Sequence, residues 1–225
     1  MPSYSGVFTL QTQMQAKAAS NWPDPNVPSV IGQAFGGGYY AGQIGVSGVA
    51  THYIIVGPIA SAQNTLKWKN ANTATAGADS VIDGPQNTAD MVADGNSTVY
   101  PCAHFCNDLS TGGQTDWYMP AKNELEVCFY NLKPTTTLND ANTGINANAV
   151  PSRGSNYTSG NPAQTTAAAF ITSTGAEAFN SAQYWSSTEA SATKGWTQYF
   201  LNGYQYSGFD KTTSLKVRAV RRVAV

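Results

Sequence analysis

Apolar and polar positions change rhythm along the chain. Tyr4 to Leu10 alternates weakly, as a short strand does, and Gln11 to Ser20 reads as polar helical turns with Leu10, Met14 and Ala18 on one face. Asn21-Trp22-Pro23-Asp24-Pro25-Asn26-Val27-Pro28 follows, and its prolines forbid a regular ladder. Gly36-Gly37-Gly38-Tyr39-Tyr40, with Gly42, Gly45 and Gly48, reads as a loose stretch. Residues 1–45 are therefore expected to form an extended N-terminal arm. Trp22, Phe35, Tyr39 and Tyr40 are costly to leave in water, so the arm is expected to order against a partner.

From about residue 50 the signals sharpen. His52 to Val56 predicts a strand ended by Gly57-Pro58, and Leu66-Lys67-Trp68 a short second one. Asp83-Gly84-Pro85 predicts a turn, after which Asn87 or Thr88 caps a short helix through Val92. Val99 to Leu109 is amphipathic, with Cys102, Phe105, Cys106 and Leu109 on one side, and Gly112-Gly113 stops it. A third helix begins at Pro120, carries Leu125, Cys128, Phe129 and Leu132, and ends before Pro134. Residues 134–180 are polar and irregular, a length that in a compact domain often carries function. The rest reads as a β-meander: Gln183 to Ser187, Gly195 to Leu201, Tyr204 to Phe209 and Leu215 to Val223. Asn202-Gly203 marks a tight hairpin, because both turn positions need positive φ. Trp185 and Trp196 fall on apolar faces and are expected in the core.

Composition narrows the classes. The 225 residues are 41% hydrophobic but only 11% charged, with net charge −1; about 25% charged is usual. Such a chain has a core but no field to attract nucleic acid. No apolar run reaches the roughly 18 residues of a membrane helix, so no membrane insertion is expected. The start shows no basic-then-apolar secretory pattern, so none is expected to direct export. A polar, uncharged, aromatic-rich surface fits proteins that work outside a cell after assembly inside one.

Candidate chemistry is sparse. Cys102, Cys106 and Cys128 are an odd, clustered set and are expected as buried thiols rather than a disulfide framework. His104 lies between Cys102 and Cys106 but on the opposite helical side, so no metal is expected there, nor any cofactor. Glu124 and Glu126 sit two apart and point to different sides of their helix, and Asp90 and Asp94 share a short polar one. Neither pair offers the two facing carboxylates of a glycosidase. The only histidines, His52 and His104, suggest no Ser–His–acid set. The chain is expected not to be an enzyme; a polysaccharide depolymerase is the version of that activity weighed against it.

Three motifs carry a resemblance. Gly113-Gln114-Thr115-Asp116-Trp117-Tyr118-Met119-Pro120-Ala121-Lys122-Asn123-Glu124-Leu125 is the first, and Tyr184-Trp185-Ser186-Ser187-Thr188-Glu189 the second. The third comprises Trp196, Phe200, Asn202-Gly203 and Val217-Arg218-Ala219-Val220-Arg221-Arg222. In order and spacing the chain resembles the Lcl C-terminal domain family over roughly residues 50–223. That family occurs in bacterial surface adhesins and in phage tail proteins. The resemblance implies an α+β, C-type-lectin-like fold with two to three helices and an antiparallel β-meander, at 46–225 behind the arm at 1–45. Ala121 stands where the family usually carries a capping Ser, so Asp116 or a backbone group is expected to substitute. Lectin calcium motifs of the Glu-Pro-Asn type are absent, as is the late cysteine pair of the related formylglycine-generating enzyme.

The implied function is a phage virion subunit, at a tail fibre or tail tip, that binds a host surface glycan or protein. It would be assembled in the host cytoplasm as a homo-oligomer, a trimer by family analogy, and would dock on other virion proteins through residues 1–45. A baseplate, collar or capsid-decoration subunit without a host ligand is the alternative. The expected receptor surface is Tyr199, Tyr204, Gln205, Tyr206, Phe209 and Asp210, since tyrosine gives large contact area at low entropic cost. Glu124 and Glu189 are expected to pair with Arg218 and Arg221.

Overall fold

The computed structural model describes residues 27–225. The strand and helical turns expected within residues 1–20, and Trp22, lie outside them. In chain order the strands are β1 (Ala34–Phe35), β2 (Gly38–Val46), β3 (Val49–Val56), β4 (Gln63–Lys67) and β5 (Ala149–Val150). They continue with β6 (Gln183–Ser191), β7 (Lys194–Tyr199), β8 (Gln205–Asp210), β9 (Ser214–Arg218) and β10 (Val220–Ala224). The helices are α1 (Ile59–Ala62), α2 (Gly84–Asp94), α3 (Pro101–Asn107) and α4 (Lys122–Leu132). Among the described residues this is an α+β fold of short helices on two five-stranded sheets. One sheet runs β1-β2-β3-β10 with β5 also on β2, and the other runs β4-β9-β6-β7-β8.

β3 explains the layering. Ile54 and Val56 enter one core with Ala41, Leu125, Phe129, Leu132, Tyr184 and Phe200. Tyr53 and Ile55 enter the other with Trp68, Met91, Tyr100, Cys102, Trp117 and Trp185. A strand covered on both faces reads as a continuous apolar run, which Tyr53-Ile54-Ile55-Val56 is. One core lies under α4 and the other under α2 and α3. Tyr184 and Trp185 split between the two cores in the same way, so β6 ties the second sheet into both.

Several expectations are corrected. Residues 34–45 are not an arm: β2 pairs with β3 from Tyr39↔Val56 to Val46↔Val49, so the 45/46 boundary cuts through a strand. Phe35 and Tyr40 gain their cover inside the domain, each edge-on to Tyr53 at 6.1 and 5.7 Å. Asp83 is not in a free turn but caps α2, its carboxylate accepting from the Gln86 N–H, with Pro85 in the first turn; Asn87 and Thr88 are buried within the helix. The final strand is split. β9 ends at Arg218 beside β4 and parallel to β6, whereas β10 crosses to β3. The break is at Ala219, whose N–H donates to Ala62 and whose carbonyl accepts from Gly57. The meander is therefore antiparallel only through β6-β7-β8.

Candidate functional site

The expected receptor residues lie on the hairpin of β7 and β8. The Tyr199 N–H donates to the Tyr204 carbonyl and the Gly203 N–H to that of Tyr199, closing the turn at 2.9 and 2.7 Å. Gly203 has φ +81°, and a Cβ there would sit 2.4 Å from the Phe129 ring. The long loop fixes this turn from behind. The Asp140 N–H donates to Asn202, and Thr143 Oγ1 and Gln198 Nε2 donate to the Gly203 carbonyl.

Tyr204, Tyr206 and Phe209 form an aromatic row along β8. The Tyr204 and Tyr206 rings stack at 5.8 Å, Tyr206 meets Phe209 edge-on at 5.2 Å, and Phe209 meets the buried Trp185 at 6.4 Å. Aromatic pairs contribute about 0.5–1.5 kcal/mol each beyond their burial, enough to hold the row in one arrangement. Gly208 makes room for it, since a Cβ there would lie 2.3 Å from the Tyr206 ring. Tyr206 is 38% exposed. Asp210 pairs with Lys194 at 2.9 Å and accepts from Asn72 at 3.3 Å. Among the described residues β8 is the end strand of its sheet, and its register against β7 shifts between Gly195 and Thr197. A bulge of that kind twists an edge away from strand addition.

Of the six expected residues the structure joins Tyr204, Tyr206 and Phe209 in this row. Asp210, opposite Lys194, and Gln205, buried opposite Gln198, take register positions on the other face of the hairpin, and Tyr199 closes the turn through its backbone. Trp196 also departs from expectation, being half-buried rather than core, with the Lys122 ammonium 4.3 Å from its ring centroid.

The four expected ion-pair residues are all paired, but not with each other. Glu124 accepts from Arg222 Nε at 2.7 Å, Tyr118 Oη at 2.5 Å and the Ala121 N–H at 2.7 Å. Glu189 pairs with Lys211, Arg218 with Glu177, and Arg221 with Asp116. At the start of α4 the Val81 carbonyl accepts from the Asn123 N–H and Thr188 Oγ1 from the Lys122 N–H, so a backbone group does substitute for the side-chain cap Ala121 lacks, while Asp116 does not. Burial pushes the Glu124 carboxyl up from its ordinary range, opposed by Arg222 and by the Tyr118 hydroxyl.

Sequence reasoning missed the centre at Glu126. This fully buried carboxylate takes hydrogen bonds from Tyr157 Oη at 2.7 Å, Asn146 Nδ2 at 2.5 Å and Arg153, whose guanidinium also lies 4.0 Å from the Tyr130 ring centroid. No spacing announces contacts between α4 and a loop 20–31 positions on. Cys102, Cys106 and Cys128 are buried free thiols, and burial drives their pKa values up. His104 Nε2 sits 2.8 Å from the Gly95 carbonyl. Among the described residues no three His, Cys, Asp or Glu side chains gather as a metal site requires. A cleft of about 300 Å³ between α2 and β10 is lined by Thr88, Asp116, Tyr118 and Arg222, whose charged groups are already committed to the pairs above.

A model of the Lcl C-terminal domain matches residues 58–221, more than half of the chain. The chain belongs to the Lcl C-terminal domain family. Its aromatic row and three motifs fall inside the matched span but for the last motif's final residue, Arg222, whereas β1, β2 and β3 precede it yet complete the Lcl domain's sheet here. A fimbrial protein from Bacteroides ovatus ATCC 8483 is similar in structure, at 14% identity and TM-score 0.47. The similarity covers 81% of this chain and 43% of that one, so this chain spans less than half of that protein's length. No curated protein matches the chain.

Proposed function

We propose that this chain recognises a host cell surface as a tail-fibre or tail-tip subunit of a phage virion, through a C-type-lectin-like domain and without catalysis. The observation that carries the reading is the Tyr204–Tyr206–Phe209 row on an edge strand. Membership of the Lcl C-terminal domain family supports a surface or adhesin-like role. The low charge supports contact with an uncharged glycan or protein surface rather than with phosphates. Rigid tyrosines give contact area without much ordering cost, and the turn behind them is fixed by the long loop.

The test is binding to host cells by the chain with Tyr204, Tyr206 and Phe209 all replaced by Ala. Cell binding is expected to fall more than tenfold while near-ultraviolet circular dichroism keeps its native form. Because Phe209 packs on Trp185, Tyr206→Ala alone serves as the second variant, with a smaller loss. Unchanged binding by both folded variants ends the reading.

A further inference from the structure

Trp196 lies on the face of β7 opposite the aromatic row, because its neighbour Thr197 pairs with Tyr206 and adjacent strand residues point to opposite faces. Lys122 opens α4, and its ammonium sits 4.3 Å from the centroid of the Trp196 ring. Both residues are held by rigid elements. The Lys122 N–H is fixed by Thr188 Oγ1 at 3.0 Å, and Thr188 in turn donates to the Ser80 carbonyl. The Trp196 carbonyl accepts from Ser186 Oγ at 3.0 Å within the sheet. Among the described residues, neither the Lys122 ammonium nor the Trp196 indole N–H has a hydrogen-bond acceptor.

Charge around the pair is lopsided. Glu126 lies one turn further along α4, but its oxygens are taken by Arg153, Tyr157 and Asn146. Two cations, Lys122 and Arg153, therefore face one carboxylate. Burial lowers the Lys122 pKa, and the Glu126 charge opposes that shift. A partly desolvated ammonium without an acceptor is unfavourable, and an incoming anion relieves it.

We infer that Lys122 and Trp196 form a second binding site, for a carboxylate that carries a neighbouring hydroxyl. The ammonium takes the carboxylate and the indole N–H takes the hydroxyl or the second oxygen. This chemistry comes from two sources, a free hydroxy acid or a uronic-acid sugar.

The experiment follows the Trp196 indole N–H by ¹⁵N NMR on the full chain, titrated with glucuronate, glycolate and glucose. The indole signal is identified by its absence in Trp196→Phe. A saturable shift with glucuronate and none with glucose is expected. A matching shift with glycolate assigns the free acid as sufficient, and a shift with glucuronate alone assigns the sugar. Lys122→Met is expected to remove the response while leaving the other indole signals in place, and Tyr206→Ala to leave it intact. No saturable shift with either acid, an equal shift with glucose, or a full response in Lys122→Met overturns the inference.

Discussion

Asp116 receives both arms of the Arg221 guanidinium, at 2.6 and 2.7 Å, and this holds its carboxyl below the ordinary value of 3.8. Between the folded and unfolded values the native chain binds fewer protons than the unfolded one. The pair's contribution is therefore complete above the unfolded value and is lost as pH falls through the folded one. Asp116→Asn removes that dependence. Urea unfolding of wild type and variant should show a stability difference that shrinks from about pH 5 to about pH 3. A constant difference would show that the ion pair contributes nothing that titrates. Glu126 is a deeper case. Glu126→Ala leaves the Arg153 guanidinium, Asn146 and Tyr157 facing a void, at a cost of about 3–5 kcal/mol. Hydrogen exchange across residues 146–157 should rise with it. These networks were hidden from the sequence because acids and bases far apart in the chain choose partners by depth and topology. Glu177 meets Arg218 from an irregular loop and Lys211 meets Glu189 from a turn, so strand spacing alone named the wrong mates.

The elements were more legible where the chain speaks locally. Asn202-Gly203 announced a hairpin but not its turn: among the described residues only Gly203 of the two has positive φ, and the loop spans residues 200–203 between Tyr199 and Tyr204 rather than two residues. Leu125, Cys128, Phe129 and Leu132 announced α4 through period. Gly203→Ala is expected to cost roughly 1–3 kcal/mol from positive φ, with the Phe129 clash added, and to loosen the aromatic row. Thermal unfolding and the tyrosine signals of β8 report the two effects separately. α4 also depends on a hydroxyl in another element. Thr188 Oγ1 accepts from Lys122 N–H and donates to Ser80 at 2.8 Å, in a buried position. Thr188→Val keeps the shape but orphans both groups, at about 1–3 kcal/mol; a loss within error of zero by denaturant midpoint would mean water replaces it. β2, by contrast, was read as a loose stretch because of its glycines. Gly42 has φ +130°, and a Cβ there would fall 2.4 Å from the Asn131 amide. The glycine marks a close approach of strand to helix, and a sequence shows the residue but not what it approaches.

At the scale of the whole molecule, the two cores share their sheets, so the domain has no smaller unit that keeps its faces covered. Tyr40 enters one core and Ala41 and Ile44 the other, all from β2. Removing β2 uncovers β3 along a whole edge and deprives β5 of its partner. It also frees Asn131, whose side-chain amide donates to the Ala41 carbonyl at 2.7 Å. The matched family span begins only at Pro58, so a chain begun at residue 46 retains every family motif and still lacks β1 and β2. Burial of a large aliphatic or aromatic side chain is worth about 1.5–3 kcal/mol, and loss of Tyr40 and Ile44 together consumes much of a total near 5–15 kcal/mol. A chain starting at residue 46 is therefore expected to give no cooperative unfolding transition and to expose apolar surface to a hydrophobic dye. One starting at residue 27 keeps both strands and is expected to unfold in one step. A sharp transition from the shorter chain would mean that the second sheet and the helices suffice, and that the edge of β3 tolerates water.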